Sequence, residues 1–174
     1  MTVTMDYLDQ VLQSCAQFAF FAGKTEDGQI REAEAELGIC FPEDYRIFLK
    51  RYGALTMGGL EIYGILKEPL QSVPDMVWTT EALRERGLPA QYVPVGFDGF
   101  GGYYCLDTES TAKTGISPVV LKWLAEEANA EESTEAEQQF APDETEWIAE
   151  SFTEFLFGML REEVKLLREE ESKK

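Results

Sequence analysis

Asp98 and Asp107 bracket a glycine-rich stretch, DGFGGYYCLD, and are the best-placed pair of carboxylates for chemistry. Two acids can divide the roles of general acid and general base, or hold Mg2+ or Ca2+. The same residues also have an ordinary use, since Asp before Gly is turn chemistry and Asp107 closes a run that reads as a strand. Gly99, Gly101 and Gly102 suit the positive φ of a hairpin turn; a phosphate cradle would open a helix onto its anion, and here a strand follows. Histidine is absent from all 174 residues, which excludes Ser-His-Asp and Cys-His nucleophiles and histidine-containing zinc sites. Cys15, Cys40 and Cys105 form no CxxC pair and fall short of the four thiolates of an all-cysteine zinc site. They read as small buried apolar residues in a reducing compartment.

Carboxylates are also what the composition supplies in excess. The chain carries 33 acidic side chains against 15 basic ones, a net charge of -18. Such a surface repels phosphate backbones and anionic headgroups, which are bound through clustered Lys and Arg. Neither nucleic acid nor a membrane is therefore an expected partner. A protein with a basic surface is, because opposite fields speed and orient encounter, although the same charge also confers solubility. The stretch EEANAEESTEAEQQFAPDETEWIAE, residues 126 to 150, holds ten acidic side chains and no Lys or Arg. Unmixed charge of this density repels itself, and a cationic partner relieves the repulsion. Glu126, Glu127, Glu131, Glu132, Glu135 and Glu137 are accordingly the candidate partner-binding residues, with Asp98 and Asp107 as a second patch. Trp78, Trp123 and Trp147 are of the type that anchors interfaces, but the apolar neighbours of each favour core packing. None of these residues calls for a cofactor.

The elements that must position these groups are legible as changes of hydrophobic period. Met5, Leu8, Val11, Leu12, Cys15 and Phe18 predict an amphipathic helix. Ile30, Ala33, Glu34 and Leu37 share the face of a second helix, which Gly38 ends. Pro42 suits the first position of a third helix. Its first turn carries Glu43 and Asp44 and its last turn Lys50 and Arg51, Gly53 closes it, and Tyr45, Phe48, Leu49 and Tyr52 form its buried stripe. Phe41 then falls at the cap, a role it fills poorly, so packing is expected to hold it. LEIYGI reads as a strand and TTEALRERG as a helix capped by Thr79 or Thr80. QYVPVGF is a strand placed at an edge by Pro94, and DGFGG turns it into YYCLD. SPVVLKW follows as a strand buried on both faces. Together these form an antiparallel meander. An acidic insertion at 125–142 is expected to be mobile or only marginally helical. Asp143 and Glu146 have the spacing of a capping box, predicting a last helix whose inner face is Ile148, Phe152, Phe155, Leu156 and Met159, continued by Leu160, Val164 and Leu167. Apolar residues at 44% support one packed domain. The stretch CAQFAFFAG is too short to span a bilayer, and a cytoplasmic location is expected.

Five blocks, IREAEAELGICFPEDYRIFLKRYGAL, LEIYGI, GLPAQYVPVGFDGFGGYYCLD, SPVVLKW and WIAESFTEFLFGML, resemble in order the SUKH superfamily, the Smi/Knr-type domain. Matching positions include Glu34, Leu37, Gly38, Pro42, Tyr45, Gly53, Tyr63, Gly64, Gly101, Asp107, Trp123 and Phe152. The resemblance runs from about residue 25 to 160. It implies an α+β fold of about four to six mostly antiparallel strands packed with N-terminal and C-terminal helices, a single SUKH-like domain over 1–174. In bacteria it implies an immunity protein that binds and neutralises a cognate polymorphic toxin, often a nuclease; fungal relatives are regulators of cell-wall synthesis and signalling. Neither role is enzymatic, and the shared residues are largely structural. The long acidic segment after Trp123 departs from the common pattern.

Overall fold

The computed structural model describes residues 3–124 and 140–173. Helix α1 (Met5–Ser14) starts where the Thr4 hydroxyl accepts from the Tyr7 amide. A 3-10 turn (Ala16–Phe18) leads into a short strand β1 (Ala19–Phe21), in a stretch whose sequence showed no strand signal. Helix α2 (Asp27–Leu37) ends at Gly38, whose φ of 68° is the left-handed conformation expected there. Helix α3 (Glu43–Tyr52) begins one residue later than the sequence pattern placed it: Pro42 is the cap, and Phe41, buried, lies just outside.

β1 joins β2 (Leu55–Met57) and β3 (Leu60–Ile62) in a three-stranded antiparallel sheet, order β1-β2-β3. Gly53 and Gly64 meet backbone to backbone beside it. A methyl group on Gly64 would lie 1.6 Å from the Gly53 carbonyl oxygen, so a side chain there would force the backbone apart at that crossing. Helix α4 (Met76–Glu85) starts earlier than predicted, because Asp75 caps it by accepting from the Trp78 amide at 3.1 Å. Thr79 and Thr80 are buried inside the helix, their hydroxyls donating to the carbonyls of Asp75 and Met76.

A meander follows: β4 (Tyr92–Phe97), β5 (Gly102–Asp107), β6 (Val119–Leu124) and β7 (Phe140–Ala149) form a second antiparallel sheet in that order, with a short helix α5 (Thr108–Thr114) between β5 and β6. β4 is an edge strand, as Pro94 required, and its register shifts between Pro94 and Gly96. The two sheets connect where the Tyr63 amide donates to the Val95 carbonyl at 2.9 Å. Residues 140–142 of the expected insertion thus lie in β7, while 125–139 lie outside the described residues. Asp143 and Glu146 do not cap the last helix, and Ile148 is not on its inner face: all three belong to β7, with Glu146 opposite Leu121. Helix α6 (Phe152–Glu171) is capped by Ser151, whose hydroxyl accepts from the Glu154 amide. Cross-strand pairing with β6 overrides the local capping signal.

The described helices and the two antiparallel sheets make an α+β fold. Its main core packs α1, α3 and α6 against both sheets. Tyr45 and Phe48 of α3 meet Phe152 of α6 with ring centroids 4.9 and 5.3 Å apart, and Tyr104 of β5 meets Phe155 at 5.1 Å. The fully buried Tyr45 donates its phenol to the Tyr63 carbonyl at 2.9 Å, and burial pushes that phenol well above its ordinary pKa. A smaller cluster, Leu83, Leu88, Cys105 and Val120, seats the end of α4 on the other face of the meander. Cys15 and Cys105 are buried; Cys40 is exposed, against the sequence expectation. No helix among the described residues is long and apolar enough to cross a membrane.

Candidate functional site

Asp98 and Asp107 sit at opposite ends of β5, whose six residues separate them by on the order of 15 Å at the rise of an extended chain. They do not converge on one site. One oxygen of Asp98 accepts from the amides of Phe100 and Gly102 at 2.7 and 2.8 Å, tying the hairpin turn in which Gly99 and Gly101 take positive φ. Asp107 caps α5, accepting from the Glu109 amide and the Ser110 hydroxyl. Beside Asp98 stands Phe100, 88% exposed. Glu126, Glu127, Glu131, Glu132, Glu135 and Glu137 lie outside the described residues. Among the described residues no three His, Cys, Asp or Glu side chains gather to hold a metal ion. Burial raises the pKa of the Cys15 and Cys105 thiols, which suppresses thiolate at neutral pH.

A concavity that combines an exposed indole with carboxylates lies elsewhere, between α2, α4 and the connection from β3 to α4. It is a groove of about 400 Å³. One wall is the stripe Gln29, Glu32, Ala33 and Glu36 of α2, spaced so that all four share a face. Trp78 and Glu81 of α4 form the opposite wall, and Ile65 and Leu70 belong to the connection. Ala33 and Ile65 are buried, whereas Trp78 is 38% and Leu70 46% exposed. Glu32, Glu36 and Glu81 are exposed, and Lys67 is the only basic side chain among the described residues that line the groove.

One buried carboxylate organises the apolar contacts. Asp75 accepts from the Leu70 amide at 3.0 Å with one oxygen and from the Trp78 amide at 3.1 Å with the other, fixing both exposed apolar residues relative to each other. The walls are also tied together. Arg84 of α4 donates to the Leu37 carbonyl at the C-terminal end of α2 at 2.8 Å, where a cation complements the helix dipole, and to the Ala90 carbonyl at 2.6 Å. Burial lowers the pKa of this guanidinium, opposed in part by the nearby Glu81 carboxylate, which favours the charged form. The groove is thus held open by backbone-anchored charges. It offers an indole face, aliphatic contact and three carboxylates in water, the makings of a binding surface.

Sequence reasoning singled out Trp78 but favoured the core for it, and did the same for Trp147; both are exposed, Trp147 at 61%. Trp123 stands in β6. The groove itself was missed. Its one legible signal was the three and four residue spacing of Gln29, Glu32 and Glu36 on the face of α2 away from Ile30 and Leu37. Nothing in the sequence brings Trp78 alongside that stripe.

Comparison with known proteins agrees with the fold. A family model described as SUKH_5, SMI1-KNR4 cell-wall, matches residues 5–156. No curated protein matches. Among solved structures, the crystal structure of a protein from Pseudomonas syringae pv. tomato superposes with a TM-score of 0.52 at 19% identity, covering 81% of this chain and 90% of that one. At that identity the likeness speaks for the fold alone.

Proposed function

Because the chain belongs to the SMI1-KNR4 family of the SUKH superfamily, we propose that it is a non-catalytic immunity protein, which binds a cognate polymorphic toxin and occludes its active surface. The observation that carries this reading is the charge: 33 acidic against 15 basic side chains on a fold of this family. A nuclease toxin holds its phosphate substrate with clustered cations, and a protein presenting carboxylates competes for that surface without chemistry. Inhibition is stoichiometric, needs no cofactor, and takes place in the cytoplasm, where an incoming toxin acts. Electrostatic steering makes association fast and sensitive to salt.

The test is co-purification with the product of the neighbouring gene, which this reading expects to carry a toxic C-terminal domain. A one-to-one complex is expected, with the toxin's activity lost at equimolar ratio. A toxin domain that neither binds nor is silenced, or turnover of a substrate by the isolated chain, overturns the proposal. A second reading, a regulatory module of the Smi/Knr type, draws on the words cell-wall in the description of the matching family. Gene context separates the two, since a regulator has no toxin gene as its neighbour.

A further inference from the structure

We propose that the groove between α2 and α4 is a docking site for an arginine-bearing segment of a partner protein; this rests on the reading above and names the surface and the chemistry it recognises. Three properties point to that occupant. The half-exposed Trp78 presents an indole to the groove, and a guanidinium stacks on such a ring more favourably than any other side-chain cation. Glu32 and Glu36, one turn apart on α2, line the groove together with Glu81 of α4, and planar carboxylates accept the paired donors of arginine in a bidentate arrangement. Between the walls, Ala33, Ile65 and Leu70 supply apolar surface for the aliphatic stem of the same side chain and for an apolar neighbour in the segment.

The complementarity is specific in sign and shape. Carboxylates outnumber the single Lys67 around the groove, so an acidic segment is repelled and a wholly apolar one leaves the rim without partners. A second copy of this chain, at a net charge of -18, meets its own repulsion. Preorganisation adds to the fit: Asp75 and Arg84 hold Leu70, Trp78 and the end of α2 through backbone hydrogen bonds that exist before any partner arrives.

The experiment titrates the full chain, at low ionic strength, against a fluorescein-labelled synthetic peptide of alternating arginine and leucine. The same peptide is also made with lysine, and with citrulline, in place of arginine. The arginine peptide is expected to bind best and the citrulline peptide at least tenfold more weakly. Trp78→Ala lowers affinity for the arginine peptide at least tenfold. The triple variant E32Q/E36Q/E81Q does the same and flattens the salt dependence, while E162Q/E169Q/E170Q on α6, an equal loss of charge elsewhere, stays within twofold. Equal losses in the two triple variants reduce the effect to general attraction and overturn the site. So does absence of binding, or a Trp78→Ala protein that melts normally and binds as before. A dimer in sedimentation that Trp78→Ala abolishes assigns the groove to a second copy instead. Any of these failures leaves a toxin complex found by co-purification standing, so the site and the function fail separately.

Discussion

Helix α2 presents carboxylates to two regions of the molecule and uses them in opposite ways. On one side, at the corner where α2 turns into α3, Glu34 is buried and one of its oxygens accepts from the Phe41 amide at 2.8 Å and from the Arg46 guanidinium. Asp44, in the first turn of α3, reaches the start of α6, accepting from the Thr153 amide and hydroxyl at 2.9 and 3.0 Å. On the other side, Glu32 and Glu36 stand in water at the groove. A rotation of about 200° about the helix axis, two residues of an α-helix, separates a carboxylate that holds the fold from one available to a partner. Composition alone cannot tell them apart, and a net charge of -18 is a mixture of both kinds.

That contrast can be broken by mutation, and the largest effect belongs at the corner. Glu34→Ala leaves the Phe41 amide and the Arg46 guanidinium without their shared acceptor, which should cost on the order of 2–4 kcal/mol, read as a lower urea midpoint at unchanged slope. A loss as small as that of an exposed acid would erase the distinction. Next comes Asp75→Ala, which removes the α4 cap and the anchor of the Leu70 amide together and should cost about 1–2 kcal/mol. Unlike Glu34→Ala it should also disturb the groove, seen as altered Trp78 fluorescence in a protein that is still folded.

The smallest effect sharpens the comparison through pH. Glu61 of β3 is neither paired like Glu34 nor free in water like Glu32, and partial burial raises its pKa. Below the ordinary carboxylate value it is protonated in both folded and unfolded chains and its contribution is fully present; as pH rises through the raised folded value that contribution is lost. Glu61→Gln should therefore raise the melting temperature at pH 7 by roughly 1 °C, held small by solvent screening, and leave it unchanged near pH 3. A gain that persists at pH 3 would assign the effect to packing.

Local signals carried the helices well where the deciding interaction was itself local. Gly38 ends α2 because only a residue comfortable at positive φ fits there, and the stripe of Tyr45, Phe48 and Leu49 is buried as its spacing required. The hairpin turn at Asp98 and the edge position of Pro94 were legible for the same reason. The start of α6 was misread because Asp143 and Glu146 satisfy a capping pattern equally well inside a strand, and register with β6 chose the strand. β1 and β2, three residues each, are too short to carry a period and exist only through cross-strand pairing, β1 with β2 and β2 also with β3. Even α4 was shifted, since Asp75 caps it while also serving Leu70, a contact that propensity does not encode.

The sequence by itself determined the charge, the absence of histidine, the helical stripes and the family resemblance, because each is a property of residue types and of spacings within a turn or two. Only the tertiary structure decided which carboxylates are spent on the fold, that Trp78 faces solvent, and that it lies across from Glu32 and Glu36. Those facts depend on how α4 crosses α2, and that crossing is set by Arg84 at the Leu37 carbonyl and by the seating of Leu83 and Leu88 on the sheet, contacts between segments far apart in the chain.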